Sequence, residues 1–277
     1  MNTSTEPSLV AGAYAAGHGI GAFNVVLLEH AEAIIAGAED AGRPVILQIS
    51  QNTASYHGSF EPLALATLAV ARAAAVPAVV HLDHAVDSEL VYAAVDLGVH
   101  SVMFDASALD YDENVAATRK VVEFCHDRGV LVEAELGEVG GKDGVHAPGA
   151  RSRPDEVAAF VGATGVDSLA VAVGTSHAMT TRVATVDREL ITELAASAGV
   201  PLVLHGSSGL SDAELAAAVA AGMTKINIST HLNGLFTAAA RFALASDAGL
   251  VDPRRYIAPA RDAMAGEVGR LLRLLAP

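Results

Sequence analysis

The 277-residue chain carries 32 acidic against 17 basic side chains, a formal net charge of −15, with 52% apolar residues, only 4% aromatic and no Trp. That balance argues against non-specific binding to nucleic acid or to an anionic membrane, and it requires a core built from Ala, Val, Leu and Ile. The single Cys125 leaves no internal disulfide to form, and there is no unbroken apolar run of about 20 residues and no basic-then-apolar start; a cytoplasmic protein is expected.

Residues 6–16 read as a short leading helix. A regular alternation then begins. Strand 21–26 precedes helix 27–41, and strand 45–50 precedes helix 62–75. Strand 78–83 is followed by helix 87–97, strand 101–105 by helix 114–128, and strand 131–135 by helix 154–163. Strand 168–173 leads to helix 187–198, strand 202–205 to helix 212–221, and strand 225–229 to helix 231–245. The strands are short and rich in Val, Ile or Ala, as suits a parallel sheet covered on both faces. Gly and Pro punctuate the returns, as in Gly42-Arg43-Pro44 and Gly199-Val200-Pro201. Ser211 with Asp212 and Glu214 can cap one helix, and Pro154 suits the first turn of another. Eight strand–helix units predict an α/β fold, a (β/α)8 TIM barrel forming a single domain over residues 1–277, with one further helix over 252–275. A doubly wound open sheet is disfavoured, because no Gly-x-Gly-x-x-Gly follows the first strand.

Barrels place their chemistry at the C-terminal ends of strands. Here strand three ends in His81-Leu82-Asp83-His84, strand four in Asp105, and strand five in Glu133-Ala134-Glu135. Strand six runs toward His177, strand seven ends in His205, and strand eight in Asn227-Ile228-Ser229. Three imidazoles (His84, His177 and His205) would converge at the mouth of such a barrel, the ligand set of a catalytic metal ion and most naturally Zn²⁺. By strand parity His81 and Asp83 share a face; His84 joins Asp83 only if the backbone turns there. His18, His30, His57, His100, His126 and His231 are read as ordinary structural residues. Gly206-Ser207-Ser208-Gly209, between a strand and a helix, suits an anion held by backbone N–H groups, as does the stretch Asn227 to Thr230. The Gly-rich stretch 137–153 reads as a lid or binding loop.

The motifs Ala22-Phe23-Asn24, His81-Leu82-Asp83-His84, Ser101 through Ser107, Val132-Glu133-Ala134-Glu135-Leu136-Gly137, Asp167 through His177, Leu202 through Leu210, Lys225-Ile226-Asn227 and Asp252-Pro253-Arg254 occur in one order from residue 22 to 254. In this the chain resembles the class II, metal-dependent aldolases of ketose bisphosphates, most closely the tagatose-bisphosphate-type branch. The resemblance implies reversible cleavage of a phosphorylated ketose to dihydroxyacetone phosphate and an aldehyde. It implies that His84, His177 and His205 bind one zinc ion and that Asp83 is the acid acting on the aldehyde oxygen. Asp105 and Glu135 would sit behind the metal or hold a second ion, divalent or monovalent. Asn24, Ser50, Gly206, Ser207, Ser208, Asn227, Ser229 and Thr230 would meet the phosphorylated substrate. Arg254 would reach the substrate of a neighbouring subunit in a homodimer or homotetramer. Where relatives carry a glutamate after the Gly-Gly of the long loop, this chain has Lys142-Asp143-Gly144, so Asp143 is the first candidate to substitute as proton shuttle, with Glu138 and His146 as alternatives behind it.

Three other readings stay open on the sequence alone. One is a Schiff-base aldolase using Lys225, which by parity points inward. A second is a barrel metallohydrolase, although it lacks the usual His-x-His pair. The third is an aldolase relative that acts on a different sugar phosphate or binds one without turnover.

Overall fold

The computed structural model describes residues 9–136, 151–175 and 179–277. Helix α1 (Leu9–Ala16) precedes strand β1 (Ile20–Asn24) and helix α2 (Leu28–Ala41). Next come β2 (Val45–Ser50), α3 (Gln51–His57), α4 (Glu61–Ala73), β3 (Ala78–Ala85) and α5 (Ser88–Asp96). β4 (Ser101–Phe104), α6 (Tyr111–His126), β5 (Leu131–Glu135) and α7 (Pro154–Thr164) lead to β6 (Ser168–Ala170) and α8 (Arg188–Ala198). The chain closes with β7 (Leu202–Leu204), α9 (Asp212–Ala221), β8 (Met223–Ile228), α10 (Thr230–Ser246) and α11 (Arg254–Leu275). The eight strands are parallel and form a closed barrel in sequence order, β8 pairing with β1. This is the TIM barrel expected from the alternation, with its leading and trailing helices.

The capping signals act as read. Ser211 accepts from the Glu214 N–H at the start of α9, and Pro154 opens α7. Helix α3 was not anticipated. It follows β2 directly because Ser50 turns out of the strand and its Oγ accepts from the Thr53 N–H. β6 stops at Ala170, short of the expected 173, because the chain leaves the sheet there: the Ala172 N–H turns to Ser152 Oγ and the Asp187 N–H to the Val173 carbonyl.

The strands bury two different faces. Outward side chains such as Val80, Leu82, Val132 and Leu204 pack into the main apolar core beneath the helices. Inside the barrel, Ile20, Ala22, Ile46 and Val79 form one small apolar cluster, and Met103, Ala170 and Val203 another. Between and above these the interior is polar: Gln48, His81, Asp83, Glu133, Glu135, His205, Lys225 and Asn227 are all buried. So many buried charges require partners. Helix α11 seals the outside against α2 at a crossing where a side chain on Gly37 would run into the Ala265 carbonyl and the Gly269 backbone. The Gly19 N–H then donates to the Leu275 carbonyl at 2.8 Å, tying the helix end to the start of β1.

Candidate active site

At the mouth of the barrel β3 delivers Asp83 and His84 together. Consecutive strand residues face opposite ways, and the conflict is resolved at His84, whose φ of 48° lies in the left-handed region. The β3–β4 register slips between Leu82 and Ala85 at the same place. A non-glycine residue there carries strain of order 1 kcal/mol, the sort that accumulates at functional sites. The outcome is that the Asp83 carboxylate and the His84 ring both belong to the mouth.

His84 Nε2 lies 2.9 Å from His205 Nδ1, the two rings meeting edge to face with centroids 4.6 Å apart. On its other side His84 Nδ1 is 3.3 Å from Asp105 Oδ2. Asp105 is in turn fixed by the Ser107 hydroxyl and N–H, at 2.6 and 3.1 Å. Ligand atoms of His84, Glu135 and His205 all fall within 4.8 Å of one another. Asp83 Oδ2 accepts from Asn24 Nδ2 at 3.2 Å, and Asn24 Oδ1 accepts from Gln48 Nε2 at 2.8 Å. The second oxygen, Asp83 Oδ1, is buried with no hydrogen-bond partner among the described residues.

The electrostatics describe a pocket short of positive charge. Burial works against a charged His84, but the Asp83 charge, the Asp105 hydrogen bond and Glu135 outweigh it and push the imidazole up to about 9. Burial would also raise Asp105, yet the hydrogen bonds from His84 and Ser107 hold it well below the usual carboxylate range. Glu135 is pushed well above its ordinary value by burial, with the Asp105 charge adding to it. Both upward shifts run toward a bound proton, on His84 and on Glu135. A divalent cation would replace both protons, since metal ligands must be deprotonated. Two ligands at about 2.0–2.1 Å from a tetrahedral ion stand roughly 3.3 Å apart, near the His84–His205 separation. On this chemistry the donor set fits a metal ion.

Behind β7 the chain turns at Gly206, whose φ is 69°, into the short 3-10 turn Ser207–Gly209. Ser207 Oγ donates to the Leu204 carbonyl, and Ser208 Oγ accepts from the N–H groups of Ser229 and His231. The Ser208 hydroxyl thereby knits the loop after β7 to the start of α10. The N-terminus of the 17-residue α10, where Ser229 makes no side-chain cap of its own, lies beside this turn, and a helix start favours an anion.

The sequence model of the family described as class-II fructose-bisphosphate aldolase matches residues 5–276. The chain belongs to that family. Among its relatives, the fructose-bisphosphate aldolase of Geobacillus stearothermophilus is 40% identical over 258 residues, covering 91% of this chain and 89% of that protein. That of Staphylococcus epidermidis is 38% identical over 252 residues, covering 90% of this chain and 88% of its own. The crystal structure of the YdjI aldolase from Escherichia coli K12 superposes with a TM-score of 0.81 at 33% identity, over 96% of this chain and 94% of that one. The class II aldolases are carbon–carbon lyases, and their relatives' names carry a phosphorylated sugar substrate.

Of the residues expected in this aldolase site, Asp83, His84, Asp105, Glu135, His205 and Asn227 gather at the barrel mouth. Asn24 is there too, its amide committed to Asp83 and Gln48. Ser50 spends its hydroxyl on capping α3, and Arg254 lies at the surface, its guanidinium 2.8 Å from Asp252. His177, Asp143 and most of the long loop lie outside the described residues. Gln48 and Glu133 were missed as site residues. The available signal was a single polar residue in Val45-Ile46-Leu47-Gln48-Ile49, and the shared parity of Glu133 with Glu135. Lys225 is not a free amine: its Nζ is 2.6 Å from Glu133 Oε2 and 3.2 Å from His81 Nε2. Five of the six set-aside histidines have structural partners, His57 at the Val26 carbonyl and His100 at the Val80 N–H among them. His126 Nε2 is 2.8 Å from Asp167, His231 Nε2 is 2.7 Å from Glu267, and His30 Nδ1 accepts from the Val26 N–H. No helix among the described residues is long and apolar enough to cross a membrane.

Proposed function

We propose that this chain catalyses the reversible aldol cleavage of a phosphorylated ketose, fructose or tagatose bisphosphate in type, to dihydroxyacetone phosphate and an aldehyde. The observation that carries the reading is the facing pair His84 Nε2 and His205 Nδ1, with Glu135 beside them and Asp83 on the same hollow. His84 and His205, with His177 as third ligand, would hold a zinc ion. When bound, that ion supplies Lewis acidity, stabilising negative charge as it develops on the substrate's oxygens.

The remaining work falls to side chains. Asp83 takes the proton of the C4 hydroxyl as the carbon–carbon bond breaks and returns it to the aldehyde oxygen on condensation. Asn24, held by Gln48, keeps one carboxylate oxygen engaged and leaves Oδ1 for that proton. Asp105 orients His84 through Nδ1, the role that carboxylates commonly play behind metal-bound imidazoles. The Gly206–Gly209 turn and the start of α10 hold the phosphate of the dihydroxyacetone half, with Asn227, Ser229 and Thr230 beside it. Asp143 moves the proton to and from the dihydroxyacetone carbon. Arg254 reaches a neighbouring subunit's substrate in a homodimer or homotetramer, and the enzyme works in the cytoplasm.

A panel of ketose mono- and bisphosphates assayed with the zinc-loaded protein tests the reading. Cleavage releasing dihydroxyacetone phosphate from at least one bisphosphate is expected. Tight binding of the same sugars with no turnover in either direction would instead make the chain a sugar-phosphate-binding relative.

A further inference from the structure

Beneath the mouth, the floor of the barrel holds a chain of buried charges that the reaction does not use. Glu133 on β5 divides its carboxylate between two partners. Oε2 accepts from Lys225 Nζ at 2.6 Å, and Oε1 stands 3.0 Å from His205 Nε2. Glu133 and Lys225 are 2% and 1% exposed. Lys225 is fixed on its other side by His81 Nε2 at 3.2 Å, and His81 Nδ1 is 2.8 Å from Ser101 Oγ. Residues of four strands, β3, β4, β5 and β8, are thereby linked in series to the His205 ring, which directly follows β7.

We propose that Glu133, pinned by Lys225, is the positioning residue that sets the orientation and tautomer of His205, so that the lone pair of Nδ1, the nitrogen facing His84, is turned to the mouth. The inference rests on the metal-centre reading of His205 above. An ionised carboxylate only accepts, so the Nε2 nitrogen facing it must carry the ring's proton. Asn227 Nδ2 also stands 3.2 Å from Nε2. An amide N–H donated there would demand the opposite tautomer, with the proton on Nδ1, where it would block a metal. The charge-assisted bond to Glu133 is the stronger of the two. Lys225 keeps Glu133 from rotating away by holding the other oxygen.

A purely structural role suits this pair badly. Buried ion pairs contribute little net stability compared with hydrocarbon of similar volume. Directly beneath lies a cavity of ≈ 290 Å³ lined by His81, Ser101, Glu133 and Lys225 together with apolar neighbours such as Ile46 and Val79.

The test compares wild type, Glu133→Gln and the double variant Glu133→Met/Lys225→Met, which exchanges the pair for hydrocarbon. Three readouts are needed: Zn²⁺ affinity by chelator competition, the visible spectrum of the Co²⁺-loaded protein, and ¹⁵N shifts of labelled histidine in the metal-free protein. The double variant should melt near wild type, lose about 10–100-fold in Zn²⁺ affinity, show an altered Co²⁺ spectrum, and lose the Nε2–H pattern of His205. Glu133→Gln keeps the shape and loses the charge; it should weaken Zn²⁺ about 10-fold, and it decides the matter should the double variant not fold. Lowered melting temperature with unchanged affinity, spectrum and ¹⁵N pattern would overturn the proposal and leave the metal reading standing. A wild type that shows the Nε2–H tautomer yet binds no divalent ion would remove the metal reading while supporting the role of Glu133.

Discussion

His84 and His205 come from strands on different sides of the barrel, 121 residues apart, and their Nε2 and Nδ1 nitrogens face each other at 2.9 Å. Each ring is backed by a carboxylate on its far nitrogen, Asp105 at 3.3 Å for His84 and Glu133 at 3.0 Å for His205. Two imidazoles aimed nitrogen to nitrogen share a proton or a cation, and the surrounding carboxylates favour the higher charge. Replacing either ring by Ala should abolish stoichiometric Zn²⁺ binding. It should also cost about 10³-fold or more in kcat, since a Lewis acid contributes several kcal/mol. Metal analysis after gel filtration, beside the cleavage rate, checks this.

On the proposed reading Asp83 transfers a proton and does not hold the metal. Asp83→Asn should lower kcat by about 10²–10⁴-fold with metal content unchanged. Asn24→Ala, which frees the carboxylate that Asn24 now holds at 3.2 Å, should reduce kcat less, with metal content also unchanged. Loss of zinc from Asp83→Asn would contradict the division of labour.

His30 makes stability sensitive to acid. It is buried, accepts from the Val26 N–H at 3.1 Å and meets Phe236 edge-on, and burial pulls its pKa from 6.5 down to about 4. Below pH 6.5 the unfolded chain therefore gains a proton that the native chain refuses. Stability from this group is complete above pH 6.5, falls as the pH drops toward 4, and levels off below that. The total is on the order of 3 kcal/mol at most. His30→Asn keeps an acceptor for Val26 without a titrating ring. Urea unfolding between pH 4 and 7 should give a shallower decline for the variant; parallel curves would contradict the assignment.

Two glycines separate packing from propensity. A methyl group on Gly37 collides with the α11 backbone, so Gly37→Ala should destabilise by about 1–3 kcal/mol. Gly162, in α7, has nothing within 4 Å of an added Cβ, so Gly162→Ala should stabilise by about 0.5–1 kcal/mol. Thermal melts of the two variants should move in opposite directions.

The barrel was legible because its outward strand faces are uniformly apolar and each return carries a Gly, a Pro or a cap. β3 and β5 announced their chemistry by polar residues at the strand ends. Three things were hidden. The left-handed turn at His84 has no sequence signal in a non-glycine residue, so parity alone left open whether His84 joins Asp83. The helix α3 was masked because Ser50 reads equally as the end of a strand and as a cap. Gln48, Glu133 and Lys225 sit in the middle of strands, where a polar residue gains meaning only once closure of the barrel shows what stands opposite. Asn24 and Ser50, expected to meet substrate, also hold Asp83 and α3 in the structure, a second role that the sequence does not signal.

The most direct measurement is aldol cleavage of a ketose bisphosphate by one protein sample before chelation, after chelation and after Zn²⁺ is returned, with bound metal counted at each stage. The account predicts one zinc per active chain, a rate that falls to background as the ion leaves, and recovery in proportion to the zinc restored. Cleavage that continues undiminished in the stripped protein would show that the facing imidazoles of His84 and His205 are not where the catalytic charge is stabilised.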